Sequence, residues 1–394
     1  MNRREFLSTS VGASLAASSL FLRSPAVAGT EDTSLRIGYL PITDAAPLLV
    51  AHARGYFADE GLTVAQPLQV RSWSTLAESF LTGKFDLTHM LLPMPVWMRY
   101  KNRMPVKMLA WDHTNGSAIT VHRDSGIREF SDFRNRRIAV PYWYSMHNII
   151  LQTGLRRAGL TPVIRNPASP VAGRVDLMIL PPAEMPAALA GRKIDAYIVA
   201  EPFNAIAEMR TDARIMRFTG DIWKNHPCCV VVMKEARGPR QEARCQKAVN
   251  AVVRAQLWMV NNREKAAELL SREGRGYLPV PKDILLRAFT GYDINVYGGN
   301  AVPRAIRHPQ WNMRRIDFQP YPYPSATRFI VNAMKQTLME GDATFLQSLD
   351  PDFAARDLTD LRYVTKAVLQ AGGLAKFGQA DPRNPWEREE IVSP

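Results

Sequence analysis

The first third of the chain alternates short apolar strands with helices, and this alternation restricts the fold more than any other feature of the sequence. Strands are predicted at residues 35–40, 62–64 and 87–90, with helices at residues 45–57 and ending near residue 82. Gly61 and Gly83 follow the two helices, where a left-handed residue is commonly needed to end a helix. Strands that alternate with helices of this length form a parallel sheet, so the sequence predicts an α/β fold.

Polar side chains follow each of these strands at the point where the strand ends. Thr43 and Asp44 come after the first strand, Trp73 comes after the second, and His89 lies at the end of the third. Ligands of open parallel sheets bind beyond the carboxyl ends of the strands. The sequence therefore predicts that these three loops converge on one binding crevice.

The length and charge of the chain narrow its class. A chain of 394 residues exceeds the usual size of one hydrophobic core, so two lobes are expected. A formal net charge of +13 attracts small anions, acidic surfaces or nucleic acid. Because no cluster of basic and aromatic residues and no nucleic-acid motif is visible, no nucleic-acid partner is predicted.

The first 28 residues have the pattern of an export signal. Arg3 and Arg4 precede Phe6 and Leu7, a short apolar stretch follows, and Ala26-Val27-Ala28 resembles a signal-peptidase site. Paired arginines in this position indicate the twin-arginine route. An ordinary secretory signal with two arginines is the alternative. Because no cysteine lies near the cleavage point, the mature chain is expected in the periplasm without a membrane anchor.

The sequence contains no convincing catalytic or metal-binding motif. A nucleophile elbow, a phosphate loop, a dinucleotide fingerprint and a metalloprotease motif are all missing from it. Adjacent Cys228 and Cys229 lack the usual two-residue gap of a closed metal site, so no metal ion and no cofactor are predicted. A bridge from one of them to Cys245 and buried, unreactive thiols both remain open.

Two segments resemble a known family. The stretches IGYLPITDAAPLLVAHARGYFADEGL (residues 37–62) and SWSTLAESFLTGKFDLTHMLLPMPVWM (residues 72–98) resemble periplasmic solute-binding components of ABC importers, nearest the nitrate/bicarbonate branch. The wider family serves nitrate, bicarbonate, sulfonates such as taurine, and thiamine-precursor pyrimidines. The resemblance implies a monomeric receptor, not an enzyme, that delivers a small anionic or polar solute to an ABC permease. Its alternative is a protein that binds a thiamine-pyrimidine precursor or synthesises one on the same scaffold.

The same resemblance implies a two-lobed periplasmic binding protein of type II, with the ligand in the cleft between lobes. Each lobe is expected to be a mainly parallel sheet flanked by helices. The order of predicted elements places residues 29–122 and 230–394 in the first lobe and residues 123–229 in the second. An echo of residues 81–86 at residues 189–195 supports similar lobes. The last residues, 372–394, are expected to be loosely held.

The candidate ligand-binding residues combine the strand-end positions with those that the resemblance implies. They are Thr43, Asp44, Trp73, His89, Asn115, Ser117, His147, Glu201 and Cys229. Trp73 and His147 match the pattern of nitrate binders, whereas Ser117 and the Cys228-Cys229 pair replace a Gln and a Lys. With that fixed positive charge missing, we expect a ligand larger or less charged than nitrate, such as a sulfonate, a carboxylate or a heteroaromatic compound.

Overall fold

A computed structural model describes residues 34–165, 172–290, 293–298, 304–308, 314–381 and 383–394. The predicted export signal, residues 1–28, lies outside the described residues. Among the described residues, no helix combines the length and the apolar character that crossing a bilayer requires.

A five-stranded mixed sheet forms the first part of the fold. Its strands, in spatial order, are Leu68–Gln69, Ile37–Tyr39, Leu87–Leu91, Cys229–Lys234 and Val106–Trp111. Two of the three predicted strands are parallel neighbours here, with Gly38 opposite Thr88. The third parallel strand is Leu68–Gln69 and not the predicted strand at residues 62–64, which pairs outside this sheet. The strand Cys229–Lys234 enters between two neighbours and is antiparallel to both. It therefore brings Cys229 to the edge of the sheet where the parallel strands end.

A six-stranded mixed sheet forms the second part. Its spatial order is Pro162–Ile164, Val175–Ile179, Arg137–Val140, Ala196–Ala200, Ser117–His122 and Ala213–Phe218. The first four strands are parallel and the last two steps are antiparallel. The expected boundary at residue 122 assigns the strand Ser117–His122 to the first lobe. In the structure this strand pairs with two strands of the six-stranded sheet. The lobe boundaries themselves stay predictions.

Two short pairs complete the strands: Ser34–Leu35 is parallel to Thr63–Val64, and Thr114–Asn115 is antiparallel to Ile316–Asp317. The α-helices are Ala46–Ala53, Tyr56–Asp59, Trp73–Leu81, Pro93–Val96, Met146–Arg157, Met185–Ala190, Phe203–Arg210, Thr219–Ile222, Pro239–Asn261, Arg263–Leu270, Lys282–Phe289, Ile294–Tyr297, Pro324–Met334, Phe345–Ser348, Pro351–Leu358 and Leu361–Gln370. Single turns of 3-10 helix lie at Thr43–Ala45, Phe130–Phe133, Pro182–Glu184 and Leu374–Phe377, and a π-helical turn lies at Trp97–Lys101.

The strand Cys229–Lys234 shows how the core is built on both faces of the five-stranded sheet. Val231 and Met233 pack into one cluster with the helices Ala46–Ala53 and Pro239–Asn261. Val230 and Val232 point to the opposite face and join the cluster that continues into the six-stranded sheet. Because successive side chains of a strand alternate between faces, an unbroken run of valines is what a strand buried on both sides requires.

Two predicted helices are interrupted in the structure. The helix expected at residues 45–57 ends at Ala53 and restarts at Tyr56, because Gly55 has a φ of 73° and breaks the helical path. The sequence also predicts one long helix over residues 244–268, which the structure divides at Asn262 into Pro239–Asn261 and Arg263–Leu270. Both breaks fall at residues that favour non-helical backbone.

The prediction that residues 372–394 are loosely held is wrong for the end of the chain. The indole Nε1 of Trp223 donates to Glu390 Oε2 at 2.8 Å, and the Ser393 amide donates to the Ile222 carbonyl at 2.7 Å. Arg388 lies over the ring of Tyr323, 4.9 Å from its centroid. These contacts could not be predicted from the many charged residues and prolines of this segment, because each contact has a partner far away in sequence.

Candidate functional site

The two sheets meet where the loop after the first strand touches the end of the strand Ala196–Ala200. The Thr43 amide donates to the Glu201 carbonyl at 2.9 Å, and the Thr43 hydroxyl donates to the same oxygen at 3.0 Å. Thr43 is fully buried and Glu201 nearly so. This double contact joins the five-stranded sheet to the six-stranded sheet at the predicted crevice.

The carboxylate of Glu201 is held entirely by protein groups. Its Oε1 accepts from Arg315 Nη1 at 2.8 Å, and its Oε2 accepts from the Ala205 amide at 3.0 Å, in the first turn of the helix Phe203–Arg210. Burial raises the pKa of Glu201, and the neighbouring Arg315 lowers it again in part. Glu201 therefore orders the junction with its side chain and holds Thr43 with its backbone.

His147 and Ser117 form a hydrogen-bonded pair where the strand Ser117–His122 begins. Ser145 Oγ accepts from the Asn148 amide at 3.0 Å, so Ser145 is the N-cap of the helix Met146–Arg157 and fixes His147 in its first turn. His147 Nε2 is hydrogen-bonded to Ser117 Oγ at 2.8 Å. Both side chains are buried, and among the described residues His147 Nδ1 has no hydrogen-bond partner.

Cys228 connects this pair to the five-stranded sheet. Its Sγ lies 3.9 Å from Ser117 Oγ and 3.9 Å from His147 Nε2. The same sulfur lies 3.6 Å from Asp44 Oδ2, in the loop after the first strand. Asp44 from the five-stranded part and Ser117 and His147 from the six-stranded part therefore converge on Cys228 in one buried place.

Asp44, His113 and Cys229 lie on the other side of Cys228. Asp44 Oδ2 is 2.9 Å from His113 Nε2 and accepts from Cys229 Sγ at 3.1 Å. Burial raises the pKa of Asp44, with His113 acting against it. Burial also raises the pKa of Cys228, but its hydrogen bond with Cys229 and the charge of His147 bring it well below its ordinary value. Burial and Cys228 together raise the pKa of Cys229.

His89, in the five-stranded sheet, lies close enough to His113 and Cys228 for their charges to act on it, and Trp73 contacts His89. Trp73 begins the helix Trp73–Leu81, and its ring meets that of His89 edge to face at 5.4 Å between centroids. His89 Nε2 accepts from the Leu40 amide at 3.0 Å, and burial lowers the pKa of His89 to about 3. The neutral imidazole therefore accepts a hydrogen bond from the backbone just after the first strand. It has no positive charge with which to attract an anion.

Asn115 has a structural part in the same region. Its Oδ1 accepts from the Asn225 amide at 2.9 Å, and its own amide donates to the His226 carbonyl at 3.0 Å. These bonds hold the loop between the sheets against the segment that leads into the strand Cys229–Lys234. The side-chain oxygen is thus already occupied by the protein.

The structure brings together most of the predicted side chains and adds two. Asp44, Ser117, His147 and Cys229 lie in the buried group, His89 lies next to it, and Trp73 packs against His89. The polar groups of Thr43, Asn115 and Glu201 are bonded to the chain itself. The additions are His113 and Cys228. Their signal in the sequence is position, since His113 closely follows the strand Val106–Trp111 and Cys228 immediately precedes another strand.

Comparison with known proteins defines the class of fold and the family of the chain. The crystal structure of the periplasmic nitrate-binding protein NrtA from Synechocystis superposes with a TM-score of 0.74 and 19% sequence identity, over 92% of this chain and 94% of that one. The architecture is therefore that of the two-lobed periplasmic binding proteins. The sequence matches the model of the NMT1-like family over residues 28–271, and the chain belongs to that family.

Curated relatives agree with this assignment. The nitrate/nitrite binding protein NrtA of Nostoc is 27% identical over 319 residues, which cover 75% of this chain and 68% of the relative. The bicarbonate transport ATP-binding protein CmpC of Synechocystis is 31% identical over 223 residues, which cover 52% of this chain. This chain spans only 32% of the length of that second relative.

Proposed function

We propose that the chain is the extracytoplasmic solute-binding receptor of an ABC importer. The observation that carries the proposal is the convergence of Asp44, Ser117, His147 and Cys228 where the two sheets meet. A junction that is bridged by hydrogen bonds between the two halves is suited to enclose a small solute, and water-excluded polar contacts to that solute become stronger.

The side chains at this junction favour a ligand other than nitrate. Ser117 and Cys228 are short, and the nearby Arg315 is engaged with Glu201 and Glu208. A small sulfonate, carboxylate or heteroaromatic compound that uses Ser117 and His147 as hydrogen-bond partners fits this donor set. Such a ligand carries its own apolar part, for which Trp73 offers an aromatic wall.

Export and partners follow from the same proposal. The Arg3-Arg4 pair directs the chain through the twin-arginine route to the periplasm, where the mature protein acts as a freely diffusing monomer. The loaded receptor delivers its solute to the transmembrane subunits of the permease. Its function is binding without turnover.

A thermal-shift screen tests the proposal. Nitrate, nitrite, bicarbonate, sulfonates, carboxylates and pyrimidines are added separately to the purified chain, and the same mixtures are analysed for products. A ligand at 100 times its Kd stabilises the folded state by about 2.7 kcal/mol. A saturable shift with no product supports a receptor. Formation of a product, or no shift with any of these solutes, contradicts the proposal.

A further inference from the structure

Four buried side chains at the base of the junction present ligand atoms to one point in space. Asp44, His113, Cys228 and Cys229 each offer one atom, and these four atoms lie within 4.8 Å of one another. All four side chains are fully buried. They come from three separate segments of the five-stranded part of the fold, so only the folded chain assembles them.

Adjacent cysteines can serve the same point because the strand begins between them. Within a strand, successive side chains point to opposite faces. Cys229 is the first residue of the strand Cys229–Lys234. Cys228 lies before the strand, so its side chain need not point to the face opposite that of Cys229. The two Sγ atoms lie 3.6 Å and 3.1 Å from the same oxygen, Asp44 Oδ2. The absence of a two-residue gap between the cysteines therefore does not exclude a metal site here.

The distances between these atoms suit a tetrahedral ion. Zinc binds sulfur at about 2.3 Å and nitrogen or oxygen at about 2.0–2.2 Å, so neighbouring ligand atoms of a tetrahedron lie about 3.3–3.8 Å apart. Asp44 Oδ2 lies 2.9 Å from His113 Nε2, slightly closer than that, and the sulfur distances fall around the same range. Expansion of this cluster by a few tenths of an ångström opens the centre.

The geometry points to a closed site in which Asp44, His113, Cys228 and Cys229 together bind one zinc-like divalent ion. Two thiolates with an imidazole and a carboxylate are a donor set that favours zinc over magnesium or calcium, which prefer oxygen alone. Among the described residues, Asp44 Oδ1 has no hydrogen-bond partner although it is fully buried. A carboxylate bound to an ion no longer bears an unbalanced buried charge.

A bound ion would also change the neighbouring solute site. With two thiolates and a carboxylate around a divalent ion, the site carries one net negative charge, and all four positions are filled by protein. The ion therefore does not itself attract an anion. Its effect is to make Cys228 a permanent hydrogen-bond acceptor, 3.9 Å from both Ser117 Oγ and His147 Nε2. This inference goes beyond the proposed receptor function and does not depend on it.

The test is metal binding by the purified chain without any solute. The protein is stripped with a chelator, kept reduced, and titrated with Zn²⁺ by calorimetry, and with Co²⁺ as an optical probe. We expect one ion per chain, a rise in Tm, and a cobalt spectrum with the thiolate charge-transfer band and the intense visible bands of a tetrahedral site. Since these spectra come from the wild type, this part of the test is independent of whether variants fold.

Matched cysteine variants locate the ion. Cys229→Ser is expected to weaken Zn²⁺ binding at least about tenfold and to reduce the charge-transfer band. Cys245→Ser changes the third buried cysteine, in the helix Pro239–Asn261, and is expected to leave both unchanged. The inference is overturned if the wild type takes up no ion saturably, if the cobalt spectrum lacks the thiolate band, or if both variants behave alike.

Discussion

Replacing Arg315 by methionine should destabilise the protein, and by more at neutral than at acidic pH. Arg315 and Glu201 are each 1% exposed, and their charged atoms lie 2.8 Å apart. At an effective dielectric constant near 20 this pair has a Coulomb energy of about 6 kcal/mol, most of which offsets desolvation. Methionine fills a similar volume but leaves the Glu201 carboxylate buried with only the Ala205 amide as a donor.

The size of the effect is limited by protonation of Glu201. A buried acid that loses its cation takes up a proton, at a cost of about 1.4 kcal/mol for each pH unit above its unfolded pKa of about 4.3. The expected loss in the free energy of unfolding is therefore about 3–4 kcal/mol at pH 7 and about 1–2 kcal/mol at pH 5. The sign follows because the folded variant binds a proton that the unfolded chain releases, so stability falls as pH rises.

Urea denaturation followed by tryptophan fluorescence at both pH values measures this difference. Arg314→Met is the matched control. Arg314 is 45% exposed, and its Nη1 lies 3.4 Å from Asp317 Oδ1, so the ion pair is weak. This variant should change stability by less than about 0.5 kcal/mol. A loss below about 1 kcal/mol for Arg315→Met at pH 7, or an equal loss at both pH values, would refute the reasoning.

Three further predictions concern a helix cap, acid stability and export. Ser145→Ala removes the N-cap of the helix that carries His147 and should cost about 1 kcal/mol in urea denaturation. The hydrogen bond from Arg99 lowers the pKa of Asp357 to about 2, so its stabilising effect is complete above about pH 4 and is lost as pH falls through 2. Asp357→Asn should therefore flatten acid unfolding. Replacing Arg3 and Arg4 by lysine should retain the precursor in the cytoplasm in cell fractionation.

Each of these has a contrary outcome. An unchanged urea midpoint in Ser145→Ala would mean that the cap does not hold the helix. An acid unfolding curve of Asp357→Asn that superposes on that of the wild type would show that the carboxylate stabilises nothing. An undiminished periplasmic yield with both lysines would refute the twin-arginine route and leave the ordinary secretory route.

The local part of the fold could be predicted from the sequence because its causes are local. The strand predicted at residues 87–90 is found at Leu87–Leu91, and the helix predicted to end near residue 82 ends at Leu81, since apolar runs and helix stops act over a few residues. The position of Cys229–Lys234 between two other strands could not be predicted. The valines of this strand would be buried in several different long-range pairings, so their apolar character does not indicate which strands are its neighbours or that it is antiparallel to them.

The site shows the same division. Polar residues at strand ends indicated the crevice, because the topology of an α/β sheet places those ends together. That His113, Cys228 and Cys229 lie together was not predicted from the sequence. Their proximity depends on the strand starting at Cys229 and not one residue earlier, which the sequence does not show. The internal partners of Asn115 and Glu201 were also invisible, since Asn225 and Arg315 are 110 and 114 residues away in sequence.

Calorimetric titration of the ligand found by the screen tests the central claim most directly. We predict that the wild type binds one ligand per chain and that His147→Ala weakens binding at least about tenfold, or about 1.4 kcal/mol. His122→Ala, which changes a histidine at the far end of the strand Ser117–His122, should bind as the wild type does. Equal affinity in His147→Ala and the wild type would place the solute elsewhere and contradict the account.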